Sequence, residues 1–139
     1  MGVIAGIAFL ALELNQSNEA LAVQARLDRE EIIRQAVRRR LETPGVITAV
    51  TKSNRGEELT DEEILVLNWT NHAVMIDWML VHEQVQDGVL EEAAIPLELW
   101  RFAFHETYPR MSESWTANKP SYTPAFIEWM EENVIDSRQ

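Results

Sequence analysis

From Gly2 to Leu12 every position is apolar. Glu13, Leu14 and a polar cluster, Asn15-Gln16-Ser17-Asn18, come next. Beyond them Ala25, Ile32, Ile33, Ala36 and Val37 keep an apolar face at helical spacing. The pattern predicts a first helix from near the start to about Leu41. Thr43-Pro44-Gly45 stops it, because proline disfavours helix in the residue before it and glycine permits a turn. At 1.5 Å per residue, a helix of ~40 residues is ~60 Å long. A small globular domain does not span that distance, so part of this helix is expected to lie outside one.

The one strand-like stretch is Val46-Ile47-Thr48-Ala49-Val50-Thr51, which is β-branched but has no evident pairing partner. A loop is expected to end in Ser53-Asn54-Arg55-Gly56-Glu57-Glu58. Thr60-Asp61-Glu62-Glu63 then has the capping-box form and acids suited to a helix N-terminus. The second helix should run to about Gln86, with Gly88 as its stop. Its middle, "ILVLNWTNHAVMIDWMLV", is apolar nearly all round, as a central core helix must be. Asn68, Thr70, Asn71, His72 and Asp77 within it argue against a membrane span. Pro96 opens a third helix to about Thr107, a shorter one holds Met111 to Trp115, and Thr123-Pro124 starts the last. The expected fold is therefore all-α: a long first helix and a bundle of about four more. Residues 1–20 read as an apolar anchor segment and residues 21–139 as one acidic helical domain.

The net charge of −11 sharpens this division. Residues 1–42 hold six arginines against six acids, so the whole excess lies downstream. An acidic body repels phosphate backbones, which excludes nucleic acid as the expected partner. With no cysteine there is neither thiolate chemistry nor a disulfide framework.

No basic residue precedes the apolar run, as a signal peptide's n-region requires. From Met1 to Leu14 a helix covers only ~21 Å, against ~30 Å of hydrocarbon. The segment "ELNQSNEAL" nevertheless resembles the QIRQNTRAL-like segment of a family of small bacterial proteins with no established activity. Gly88-Val89-Leu90-Glu91-Glu92 with Trp100, and Trp115 with Tyr122-Thr123-Pro124-Ala125-Phe126, are similar to that family's later motifs. Two departures stand out. The stretch from Leu90 to Trp100 is longer here, and the apolar run is shorter, as a late-assigned start codon or a short anchor would make it. The resemblance implies a single N-terminal membrane helix and supplies no mechanism. In a bacterial inner membrane the arginines that follow would keep the bulk of the chain cytoplasmic; the alternative is a soluble cytoplasmic protein.

Chemistry is sparse. His72 and Asp77 lie about 140° apart on one helix. A metal site would have to gather His72, Asp77 and His105 across helices, and neither Glu-x-x-His nor His-Glu-x-x-His occurs. The plainer reading is that His72 and Asp77 are buried polar groups with partners on neighbouring helices. No nucleophile elbow or phosphate loop is present, and Arg38-Arg39-Arg40 read as a solvated face. No catalytic residue and no cofactor is assigned. Trp69 and Trp78 fall on opposite faces of their helix, one for the core and one for another surface.

The expectation is a non-enzymatic, membrane-anchored interaction protein, an accessory subunit of a membrane assembly or a homo-oligomer. Its contacts to lipid or to another membrane protein would be Val3, Ile4, Ile7, Phe9, Leu10, Leu12 and Leu14. The rivals are a soluble bundle that binds a small apolar ligand or a metal, and an enzyme with no local motif.

Overall fold

The computed structural model describes residues 2–137, and among these the chain is entirely helix, turn and loop. Helix α1 spans Gly2–Glu42, α2 Val46–Asn54, α3 Asp61–Gln86, α4 Leu97–Phe102, α5 Met111–Asn118 and α6 Pro124–Met130. A 3₁₀ turn, Glu92–Ala94, precedes α4. The ends of α4 and α6 widen into π turns over Ala103–Thr107 and Glu131–Ile135.

Five helices follow the first, against about four expected. The extra one is α2, drawn from the stretch that looked like a strand and from Ser53 and Asn54, which were expected in a loop. Tertiary contact overrides propensity here. Val46 and Ala49, three residues apart, are buried where α2 lies against α3. Gly45, at φ 82°, makes the reversal from α1. Lys52 then reaches Glu63 at 2.8 Å. The same carboxylate closes the Thr60 capping box, accepting from the Thr60 N–H at 2.9 Å while the Thr60 hydroxyl accepts from the Glu63 N–H at 3.2 Å. Hydrogen bonding from Lys52 and Thr60 holds the Glu63 carboxyl below its ordinary range. One glutamate thus fixes the end of α2 and the start of α3 together.

The core forms where α3 meets α4, α5 and α6. Met75, Met111, Phe126, Met130 and Val134 are fully enclosed. Trp78 stacks on Trp100 with centroids 4.9 Å apart, Trp129 meets Trp100 edge-on at 5.8 Å, and Trp115 stacks on Tyr122 at 5.1 Å. The π turns hold the two C-terminal ends side by side: Arg101 Nε donates to the Asn133 carbonyl at 2.7 Å, and His105 Nε2 lies 2.8 Å from the Val134 carbonyl. Trp78 is core and Trp69 is 63% exposed, as their opposite faces predict.

Helix α1 is attached differently. Ala25 is the one fully buried residue among its 41. It meets α3 through its second half, and its residues from Gly2 to Leu21 are all exposed.

Phe126→Ala is expected to destabilise the bundle by about 3–5 kcal/mol through lost burial and cavity formation. Trp69→Ala should change stability by no more than about 0.5 kcal/mol. Urea unfolding followed by tryptophan fluorescence and circular dichroism measures both.

Candidate functional site

Two features make α1 a candidate for the functional site. The first is its start. Val3 and Ile4 are each 76% exposed and Leu14 is 66% exposed; Ile7, Phe9, Leu10 and Leu12 are exposed as well. Every residue expected to contact lipid or a partner is therefore bare. Isolated surface leucines are ordinary, but an unbroken apolar helical segment in water is not.

The second feature is a trough along the flank of α1, between it, α3 and α4. It runs from Arg29 to Arg40, with a volume of ≈ 370 Å³. Its walls are Ile33 and Val37 of α1 facing Leu99 and Phe102 of α4, and all four are exposed. Trp78 and Trp100 lie beneath, and the depression continues back along α1 to Ala22 beside Leu90 and Ala94.

The far end of the trough is polar. The Arg40 guanidinium sits 3.6 Å above the Tyr108 ring centroid, and its Nε is buried without a hydrogen bond. Burial lowers the Arg40 pKa and attraction to Tyr108 opposes this; a guanidinium stays charged in either case. Arg39 approaches Asp77 at 3.8 Å, too far for a hydrogen bond. Arg40 therefore turns inward, contrary to the solvated face expected of this triplet, while Arg39 stays exposed. Arg38 does stay exposed and lies 4.0 Å from Glu42.

Asp77 is 9% exposed, and its Oδ2 has no hydrogen-bond partner. Desolvation pushes its carboxyl up to about 6, with Arg39 pulling the other way. The expected partner on a neighbouring helix thus supplies charge and no hydrogen bond.

His72, Asp77 and His105 do not converge. His72 Nδ1 lies 2.8 Å from the Tyr122 hydroxyl, Asp77 faces α1, and His105 is engaged with the Val134 carbonyl. Burial lowers the His72 pKa, and burial likewise lowers that of His82, whose ring is enclosed by Phe126 and Trp129. Among the described residues no group of three or more His, Cys, Asp and Glu side chains is placed to hold a metal ion. The buried polar centre that sequence reasoning missed is Asn71. Its amide donates to the Pro109 carbonyl at 2.8 Å and to Ser114 Oγ at 3.2 Å, tying α3 to the turn before α5. The only local signal for it is a polar residue in an apolar helix.

By length and composition, one helix among the described residues is apolar enough to cross a membrane. That helix is α3, with 33% of its most apolar stretch buried in the bundle, and not the expected anchor, α1. Comparison with known protein families, curated proteins and solved structures finds no match for this chain.

Asp77 makes stability depend on pH in a defined direction. An unfolded carboxyl loses its proton near 4, whereas the folded one loses it at about 6. Between these values the folded state holds the extra proton, so the contribution of Asp77 to stability is greatest below about pH 4 and is lost as pH rises through about 6. Asp77→Asn is expected to remove that slope and to stabilise the protein by about 3 kcal/mol at pH 7.5, with little effect at pH 4. Urea midpoints at the two pH values measure this. Equal pH slopes in parent and variant would show that Asp77 is not the titrating group.

Proposed function

We propose that this is a non-enzymatic helical interaction protein that attaches to its assembly through the apolar start of α1. The observation that carries this reading is the exposure of every large apolar side chain from Val3 to Leu14 on a helix rooted in a packed bundle. Asn71, His72 and His105 are engaged with neighbours inside the bundle, which supports a structural role for these three.

The same segment supports a second reading, in which it enters the bacterial inner membrane as a single span with the bulk of the chain cytoplasmic. The arginines of α1 follow the segment, on the side that such an orientation would keep cytoplasmic.

The test is the state of the chain, tagged at its C-terminal end, in a cell extract prepared without detergent. Unsubstituted protein is expected in a larger assembly or in the membrane fraction. The double substitution Ile7→Asp and Leu10→Asp is expected to release it as a folded monomer of 16.0 kDa. If the unsubstituted chain is already a detergent-free monomer, the proposal fails.

A further inference from the structure

The chain carries both halves of an unmade contact. One half is the segment from Val3 to Leu14, apolar except for Glu13 and about 16 Å long as a helix. The other is the trough from Arg29 to Arg40, which spans the same number of residues on the same straight helix and is also about 16 Å long. A helix cannot fold back into a trough on its own flank, so these halves meet only between two molecules. We infer that the trough is the docking site for a second copy of this chain, whose α1 lies antiparallel along the first. This inference rests on the reading of α1 as the attachment element and names what the element attaches to.

The charge pattern sets direction and register. Ala5, Leu12, Glu19, Arg26 and Ile33 recur every seven residues, so they form one slowly drifting stripe down α1. Val23 and Val37 lie beside this stripe, on the flank that carries the trough wall. Its two ends are apolar and its middle is polar, with Glu19 and Arg26 there. Both are exposed, and neither joins an ion pair among the described residues.

A parallel pairing would set Glu19 against Glu19 and Arg26 against Arg26, which costs energy where the helices meet. An antiparallel pairing about a two-fold axis, with residue i opposite residue 45 − i, answers each feature at once. Glu19 of each copy faces Arg26 of the other, twice over. Leu12 faces Ile33 and Ala8 faces Val37, which brings the apolar segment onto the trough wall. Asn15 faces Glu30, a donor to a carboxylate. In this register Ile4 and Ile7 lie on the side of the incoming helix that faces Leu99 and Phe102. The contact is isologous, so it closes at two copies.

Sedimentation equilibrium of the full chain in detergent-free buffer tests the pairing. A dimer of the 16.0 kDa chain is expected. Glu19→Arg alone and Arg26→Glu alone should each raise the dissociation constant about tenfold or more, and the two together should restore it, because the reversed charges again face each other across the axis. All these positions are exposed, so circular dichroism should show the fold intact in every variant.

The absence of cysteine gives a clean check on direction. Leu12→Cys with Ile33→Cys should form an oxidised, covalent dimer, and neither single substitution should. Cross-linking by the single variants would indicate a parallel pair and overturn the inference. Single charge reversals without effect, or a double reversal without rescue, would do the same. A monomer that floats with phospholipid vesicles overturns the pairing and leaves the attachment reading standing; a purified monomer that ignores vesicles and is also monomeric in a detergent-free cell extract overturns both.

Discussion

A helix that is apolar on nearly every face needs cover on most of them, and α3 imposes that requirement on the rest of the molecule, with Leu65 and Trp69 left exposed. Helix α2 closes one side through Val46 and Ala49. Helices α5 and α6 close others with Met111, Trp115 and Phe126, and the stack of Trp78 on Trp100 brings α4 in. Each covering helix is short, and each begins or ends at a proline or glycine placed where the next side has to be reached. The last side falls to α1.

That last cover is thin. The inward face of α1 mixes the small residues Ala22, Ala25 and Ala36 with half-buried Arg29, Ile32 and Arg40, and only Ala25 is fully enclosed. Small side chains allow close approach but remove little area from water, and at about 25 cal/mol per Å² little area means little stabilisation. The stacked pair of Arg40 and Tyr108 fixes one end, and a cation over an aromatic face contributes about 0.5–2 kcal/mol. Ile33 and Val37 are left about half exposed on the flank. A seam this narrow explains how Asp77 comes to be buried opposite Arg39 without a hydrogen bond: the helices are near enough to exclude water and too far apart for a full ion pair.

Features carried by local chemistry were legible in the sequence. The capping box at Thr60, the stop at Gly88, the starts at Pro96 and Pro124 and the length of α1 all follow from residues within a few positions of each boundary. What the sequence hid depends on distant neighbours. Val46 to Thr51 has the side chains of a strand and becomes helix because α3 offers it a surface. Arg40 looks solvated beside Arg38 and Arg39 and turns inward because Tyr108 arrives from the end of the α4 segment. His105 looked like a possible ligand and is spent joining two π turns. The apolar start of α1 was visible from the first residues, whereas the trough that complements it takes its walls from α1 and α4, more than fifty positions apart.

The composition of the α1 start also bears on what covers it. A span must be apolar all round for the full thickness of the hydrocarbon, about 30 Å, whereas a helix buried in protein need be apolar only where protein touches it. The run from Gly2 to Leu12 is apolar all round, and from Asn15 onward the pattern narrows to a stripe with a charged middle. All-round apolarity suits a helix held between two walls, such as Ile33 and Val37 on one side and Leu99 and Phe102 on the other. A stripe over the remainder fits a helix that touches a single neighbour there. The transition from one pattern to the other falls where a partner helix, lying along α1, would leave the trough and meet only its counterpart.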